Sequence, residues 1–280
     1  MFIEKGFKFI NMIINITQHC SLHCPHCMQN AGPERNERMT RSTFEQALKF
    51  AKQIGSNVVM LSGGEPTTHP LFFNFLELLL HQGFVSTAVL SNGTFLKDHK
   101  FTERLAKMVE HESGFFIQIS SFKGLYANYE DVHKPGLKAL RMFGKKAMIC
   151  DDPNDIRMKP LGRACSGKWY EEAKRINGFP SCINSCLILA QTKSSLIGKL
   201  MESHQRFCLP IVSWDGNIRL GESEQCKVVA NISEPLPDIN QKLIDFRPCG
   251  SCDSYKWHLQ DPVTEQEKTV SNILWPTNNI

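Results

Sequence analysis

The chain has 280 residues, of which 41% are hydrophobic, enough to bury a substantial core in one large domain or in one domain with a small appendage. Its net charge of +4 at pH 7 is spread along the chain without basic blocks, so we expect no nucleic-acid partner. Polar residues interrupt the apolar N-terminal run and no window has the length of a membrane span, so we expect a cytoplasmic protein with no membrane segment.

Short apolar runs alternate with amphipathic segments along the first half of the chain. The apolar runs are typical of buried strands, and the amphipathic segments repeat apolar residues with helical spacing. The first helix has a capping-box pattern at Ser42 and Glu45, and Gly55 ends it. The predicted strands are 12–16, 58–61, 85–90, 115–120 and 146–149, and the later predicted helices are 71–82, 101–110 and 137–143.

This alternation predicts an α/β fold with βαβ units, a parallel sheet and ligand sites at the carboxyl ends of its strands. About six units fit before residue 165, which is too few for a complete eight-fold barrel. We therefore predict a partial (βα)6 TIM-like barrel, followed by a small metal-binding domain made of a β-hairpin and a helix. The predicted boundaries are 1–165 for the barrel, 166–206 for a connecting helical segment, 207–260 for the small domain and 261–280 for a polar tail.

The hairpin of the small domain is predicted from a turn signal. Asp215-Gly216 lies between two β-type runs, 211–214 and 217–220. A two-residue connection of this composition is typical of a type I′ turn.

Cysteine usage points to inorganic chemistry. Eleven cysteines, an odd number, indicate metal ligation or thiol chemistry rather than disulfides in a reducing compartment. Cys20, Cys24 and Cys27 form C-x3-C-x2-C on the loop after the first strand, close enough for three sulfurs to meet at one inorganic centre. A neighbouring histidine would complete a zinc site, whereas a four-iron cluster would keep one iron open to another ligand. Spacing alone leaves both possibilities open.

A glycine-rich stretch follows the second predicted strand. In Leu61–Pro66, LSGGEP, the two glycines allow close approach of a ligand to the backbone. Together with the cysteine spacing one βα unit earlier, this stretch resembles the signature of the radical S-adenosylmethionine (SAM) superfamily. The resemblance covers roughly residues 10–165.

The resemblance implies the cofactors and most site residues. Cys20, Cys24 and Cys27 would ligate a [4Fe–4S] cluster, and the amino and carboxylate groups of SAM would chelate the open iron. The reduced cluster would cleave SAM to methionine and a 5′-deoxyadenosyl radical that abstracts a substrate hydrogen. The residues that match SAM-contacting stretches of the family are Gly63, Gly64, Glu65, Pro66, Ser91, Asn92 and Ser120. Ordinary turn chemistry is the alternative for the serines and the asparagine.

Two further positions are compared with the family. His26 stands where the family usually has an aromatic residue that shields the adenine, and a histidine there can stack and also titrate. Arg163, in KPLGRA, would pair with the SAM carboxylate, and a surface arginine is the alternative.

A second set of cysteines resembles the first part of the SPASM pattern of auxiliary-cluster domains. The rest of the pattern is missing, which leaves the shortened twitch form. It implies a second [4Fe–4S] cluster, with structural zinc as the alternative. Its ligands would be Cys208, Cys226, Cys249 and Cys252. Because a fully ligated cluster cannot hold SAM but can accept an electron, we hypothesise a net oxidation of the substrate.

Four cysteines remain, Cys150, Cys165, Cys182 and Cys186. A buried free cysteine is commonly a small hydrophobic residue. The alternatives for Cys165, Cys182 and Cys186 are that one of them donates a hydrogen atom to a carbon radical, as an epimerase requires, or that they hold a third metal centre.

The leading hypothesis is a radical SAM oxidoreductase that dehydrogenates or cross-links a small molecule or peptide. Its partners would be that substrate and a cytoplasmic electron donor such as flavodoxin or ferredoxin. A radical epimerase and a non-catalytic zinc-binding scaffold are alternatives. A nucleotide cyclase of the twitch type is a further rival, but the uncharged final segment ILWPTNNI lacks the basic end of that subgroup.

Overall fold

The structure, a computed structural model, describes residues 11–120, 130, 138–150, 162–165, 210–221 and 226–245. The strands in these ranges are β1 (Asn11–Asn15), β2 (Val58–Ser62), β3 (Ser86–Ser91), β4 (Phe115–Ser120), β5 (Ala147–Cys150), β6 (Ile211–Val212), β7 (Asn217–Arg219) and β8 (Val228–Asn231). The α-helices are α1 (Arg41–Gln53), α2 (Phe72–Leu80), α3 (His99–Val109) and α4 (Leu236–Asp245). None of the helices in the described ranges is both long and apolar enough to cross a lipid bilayer.

The described strands form one sheet in the order β5-β4-β3-β2-β1-β6-β7-β8. Neighbours among β1 to β5 are parallel, which confirms the predicted α/β fold and most of the strand and helix assignments. Parallel strands joined by helices bring their carboxyl ends to one edge of the sheet. The closure of this sheet into a partial barrel stays a prediction.

Strands β1 to β4 are adjacent in chain order, so right-handed crossovers place α1, α2 and α3 on one face of the sheet. Ile14, Leu61 and Ile117 come from three different strands, and each is completely buried in the hydrophobic cluster beneath the helices. Phe44 of α1 and Phe75 of α2 stack in this cluster with ring centroids 4.2 Å apart. Each such side chain contributes about 1.5–3 kcal/mol by burial, so the core holds the strand ends in a defined register.

The beginning of α1 differs from the prediction. The N-cap is Thr40, whose hydroxyl accepts a hydrogen bond from the Thr43 backbone at 3.1 Å. The Ser42–Glu45 capping box is therefore wrong, and Glu45 instead forms an ion pair with Arg41 at 2.9 Å. Thr40 caps the helix because its backbone is extended, as an N-cap requires.

The helix predicted over 137–143 is also different. Helical residues 138–140 give way to a 3₁₀ helix, Arg141–Lys146, and β5 begins one residue later than predicted. Gly144 has φ 57° and ψ −129°, which no helix accommodates, so the helical pattern cannot continue into the strand.

The predicted hairpin is present, but its turn is not type I′. The backbone N–H of Ser213 donates to Asn217 and that of Gly216 donates to Ser213, so three residues, 214–216, form the loop between the paired residues Ser213 and Asn217. Gly216 has φ 82°, but Asp215 keeps a negative φ, whereas type I′ needs positive φ at both central residues. The negative φ of Asp215 is stabilised because its carboxylate accepts hydrogen bonds from the backbone and side chain of Asn217 at 3.1 and 2.6 Å.

The hairpin extends the main sheet. β6 runs parallel to β1, with Ile13 opposite Ile211, and β7 and β8 continue as antiparallel strands. The predicted small domain as a unit of its own stays a prediction.

Candidate functional site

The segment Cys20–Cys27, called the cysteine loop below, lies beyond the carboxyl end of β1. The Cys20 side chain is buried, and those of Cys24 and Cys27 are half-buried. The backbone N–H of Cys27 donates to the carbonyl of Cys24 at 3.2 Å, and that of Cys20 donates to Gly32 at 3.1 Å. These hydrogen bonds fold the loop and bring its three thiols close enough together to interact electrostatically.

Burial of these cysteines disfavours the thiolate form of their side chains. It raises the pKa of the Cys20 thiol to about 12, and the nearby Glu65 carboxylate and neighbouring cysteines act in the same direction. Burial raises the pKa of the Cys24 thiol to about 11, although the positive charge of Arg163 opposes the effect. A cationic inorganic centre is what would hold these sulfurs as thiolates at neutral pH.

Three thiols on one loop that act on one another electrostatically are a donor set that fits an iron–sulfur cluster with one iron open to another ligand. In the described part of the chain, no three His, Cys, Asp or Glu side chains are arranged around one metal ion.

Gly63 and Gly64, beyond the end of β2, pack against the backbone that leads into Cys20. The backbone N–H of Gly64 donates to Thr17 at 2.7 Å, and that of the next residue, Glu65, donates to His19 at 2.8 Å. A Cβ at either glycine would overlap with the carbonyl oxygen of Thr17 or His19. These glycines are thus required for the close approach of two chain segments, a reason that the sequence analysis did not anticipate.

Glu65 is completely buried and joins the ends of β2 and β3. Its carboxylate accepts hydrogen bonds from the Thr67 backbone at 3.2 Å and hydroxyl at 2.5 Å, from the Ser91 hydroxyl at 2.8 Å and from the Asn92 backbone at 2.7 Å. Burial raises its pKa, and these bonds oppose the rise. Pro66 is buried and begins the short 3₁₀ helix that follows.

Asn92 connects the end of β3 to the cysteine loop. Its Nδ2 donates to the Cys20 Sγ at 3.5 Å, although the two residues are 72 positions apart. The backbone N–H of Leu22 donates to the same sulfur at 3.4 Å. The structure thus brings together predicted site residues from the loops after β1, β2 and β3. Ser120 ends β4, in register with Cys150 of β5, and is not part of the network around Glu65.

Arg163 holds the cysteine loop from the other side. Its Nε donates to the Cys24 carbonyl at 2.9 Å, and its backbone N–H donates to the Cys27 carbonyl at 2.9 Å. Gly162 before it has φ +57°, and a Cβ there would overlap with the Cys27 carbonyl. The alternative of a surface arginine is therefore wrong, because the side chain is half-buried against the loop.

His26 is buried, with 7% of its surface exposed. Burial, helped by the charge of Arg163, lowers the pKa of His26 to about 4. At pH 7 the lowered pKa favours the uncharged form of this ring.

His69 belongs to no sequence motif and was not predicted as a site residue. Its ring is buried, Nδ1 accepts from the Leu71 backbone at 3.0 Å, and Nε2 lies 3.1 Å from the Met39 carbonyl. Because Nδ1 accepts, Nε2 carries the proton and donates to Met39. The Met39 backbone in turn donates to Ile16 at 2.8 Å. His69 therefore helps to hold the segment before the cysteine loop against the segment after it.

The second cysteine set is described only in part. Cys226 is half-buried, and its carbonyl accepts from Arg219 of β7 at 3.1 Å. Cys165 is the last residue of the 3₁₀ helix Gly162–Cys165. The remaining predicted ligands and hydrogen donors lie outside the described residues: Cys182, Cys186, Cys208, Cys249 and Cys252.

Residues 14–136 match the family model of the Radical SAM superfamily. This range contains the cysteine loop, the Gly63–Pro66 stretch and Asn92. The part of the chain that contains the site, less than half of its length, is therefore similar to the Radical SAM superfamily.

Curated relatives match about a third of the chain. The probable GTP 3′,8-cyclase of Methanothermobacter marburgensis is 27% identical over 89 residues, 32% of this chain and 29% of that protein. The S-adenosylmethionine-dependent nucleotide dehydratase of Thermoplasmatales archaeon ISO4-H5 is 30% identical over 91 residues, 32% of each protein. The matches span about a third of the length of these curated relatives.

Solved structures share the fold over most of the chain. anSMEcpe with bound AdoMet has a TM-score of 0.52 at 15% identity, covering 96% of this chain and 100% of that one. SuiB of Streptococcus suis bound to S-adenosylmethionine has a TM-score of 0.53 at 15% identity, covering 90% of this chain and 72% of that one. At this identity the likeness establishes the fold alone.

Proposed function

We propose that the chain is a radical SAM enzyme that holds a [4Fe–4S] cluster on Cys20, Cys24 and Cys27 and binds SAM beside it. The observation that carries the proposal is the convergence of the loops after β1, β2 and β3 on the Cys20 sulfur, which Asn92 contacts at 3.5 Å. The family match over residues 14–136 supports it independently.

When bound, SAM and the reduced cluster supply a 5′-deoxyadenosyl radical that abstracts a hydrogen atom from the substrate. The protein's part is to bind, orient and exclude water. In this proposal the backbone of Gly63–Pro66 faces the SAM amino group, and the uncharged ring of His26 stacks on the adenine. Ser91, Asn92 and Ser120 lie towards the ribose and carboxylate.

Arg163 is reassigned in this proposal. The sequence analysis paired it with the SAM carboxylate, but its guanidinium donates to carbonyls of the cysteine loop and its vicinity. We therefore give it the role of holding the loop, and leave the SAM carboxylate to the open iron and the ends of β3 and β4.

The overall reaction is proposed to be a net oxidation of a small molecule or peptide. An auxiliary [4Fe–4S] cluster on Cys208, Cys226, Cys249 and Cys252 would accept the electron left on the substrate radical, and flavodoxin or ferredoxin would reduce the first cluster. The fold likeness to SuiB, which has been solved bound to the precursor peptide SuiA, is consistent with a peptide substrate. A count of external electrons per product tests the oxidation, since a demand for two would contradict it.

A nucleotide substrate is the second candidate. The curated relatives named as GTP 3′,8-cyclases and as a nucleotide dehydratase favour it, although the matches cover only 32% of this chain. Incubation with GTP and other nucleoside triphosphates, followed by mass spectrometry of the products, distinguishes this candidate. For the epimerase alternative, the measurement is solvent deuterium in the product of Cys165→Ala, Cys182→Ala and Cys186→Ala.

Anaerobic reconstitution tests the central proposal. Wild-type protein should turn brown, bind iron and sulfide, and release 5′-deoxyadenosine when given dithionite and SAM. Cys20→Ala, Cys24→Ala and Cys27→Ala should each abolish that release. Cys226→Ala is the matched control, because it should lower the total iron content while the first cluster remains. A colourless wild-type protein without sulfide or deoxyadenosine would leave the zinc scaffold as the explanation.

A further inference from the structure

The side-chain amide of Asn92 points at a cysteine sulfur inside the site. Nδ2 lies 3.5 Å from the Cys20 Sγ, and both side chains are only 8% exposed. Water therefore competes little with this contact, and a hydrogen bond is stronger in such surroundings than at the surface.

The orientation of the amide follows from its neighbours. The backbone N–H of Thr94 donates to Oδ1 of Asn92 at 2.9 Å, and a backbone N–H can only donate. Oδ1 must therefore face Thr94, which leaves Nδ2 facing the sulfur. The Asn92 backbone is fixed in turn by the buried Glu65, whose Oε2 accepts from it at 2.7 Å.

We propose that Asn92 is a positioning residue that raises the reduction potential of the first cluster by donating an N–H···S hydrogen bond to Cys20. This inference rests on the proposed function, because it requires a cluster on Cys20. Reduction adds an electron whose charge is shared by the thiolate sulfurs, so a donor to sulfur stabilises the reduced state more than the oxidised one. Leu22 supplies a second, backbone donor to the same sulfur at 3.4 Å, which no side-chain substitution removes.

The test is a redox titration of reconstituted protein without SAM, followed by electron paramagnetic resonance of the reduced cluster. Asn92→Ser keeps an oxygen that can accept from Thr94 but removes the amide donor. At a fixed potential we expect the ratio of reduced to oxidised cluster to fall about threefold to tenfold. Tenfold corresponds to a midpoint about 59 mV more negative for a one-electron couple. Asn92→Asp replaces the donor with a carboxylate oxygen and should shift the midpoint further in the same direction.

Ser21→Ala is the matched control. Ser21 is next to Cys20 and exposed, and its hydroxyl shares a hydrogen bond of 3.1 Å with Thr94 rather than with the sulfur. Its midpoint should equal that of the wild type.

Each outcome has a distinct meaning. A wild-type protein that assembles no cluster defeats the proposed function and this inference together. If the clusters of both Asn92 variants keep the wild-type midpoint, only the inference is wrong. If both variants lose the cluster while Ser21→Ala keeps it, the inference is again wrong, because Asn92 then governs cluster retention.

Discussion

The Arg163 guanidinium donates to the Cys24 carbonyl at 2.9 Å, although 139 residues separate the two in the chain. The same side chain reaches the Ala31 carbonyl at 2.5 Å. A segment from well beyond β5 therefore fixes the shape of the loop that follows β1.

Replacement of Arg163 should loosen that loop. Arg163→Ala removes two hydrogen bonds from the charged guanidinium to backbone carbonyls, each with a net value of about 1.5–3 kcal/mol. We expect reconstituted protein to release its iron to a chelator several times faster than the wild type. Arg163→Lys keeps the charge but not the planar fork, so its release rate should be intermediate. An unchanged rate in Arg163→Ala would contradict the holding role.

Gly64→Ala should destabilise the domain by about 1–3 kcal/mol, the usual cost of overpacking. The reason is that the new Cβ would overlap with the His19 carbonyl, and neither backbone segment can move without disturbing Thr17 or Glu65. Urea unfolding of the metal-free protein measures the effect.

Gly83→Ala is the comparison for that variant. Gly83 has φ +67° with nothing within 4 Å of a Cβ, so its cost comes from backbone strain alone, about 1 kcal/mol. A loss in Gly64→Ala below that in Gly83→Ala would contradict the packing argument.

Glu65→Gln should disturb the junction of β2 and β3. The backbone N–H groups of Thr67 and Asn92 each donate to a different carboxylate oxygen, and glutamine offers an oxygen to only one of them. A buried donor left unsatisfied costs about 1–3 kcal/mol. We expect a lower urea midpoint and faster amide exchange at Asn92. Glu110→Gln, at an exposed glutamate directly after α3, should change neither.

His69 should contribute a pH dependence to stability. Burial lowers the pKa of His69 below the usual histidine value of about 6.5, so the unfolded chain takes up the proton first as the pH falls. The stability contributed by the neutral ring is therefore present above pH 6.5 and decreases progressively below it. The difference in unfolding free energy between wild type and His69→Gln should shrink over that range. His111→Gln, at an exposed position, should keep the wild-type profile, and a parallel profile in His69→Gln would contradict the prediction.

The sequence by itself determined β1 to β5, the three helices between β1 and β4, and the cysteine loop with its glycine partner. These features are local: strand and helix periodicity, left-handed glycines and cysteine spacing are written within a few consecutive residues. The local sequence patterns predicted the wrong structure at Thr40, Gly144 and Asp215. At each of these positions a neighbouring residue or a backbone dihedral angle determined the conformation instead.

Only the tertiary structure decided which distant segments meet. No sequence pattern predicted that β6 lies beside β1, that Arg163 donates hydrogen bonds to the cysteine loop, or that the Asn92 amide contacts the Cys20 sulfur. Such contacts depend on how the whole sheet and its core pack, and a hydrogen bond between residues 72 or 139 positions apart leaves no periodic trace in the sequence.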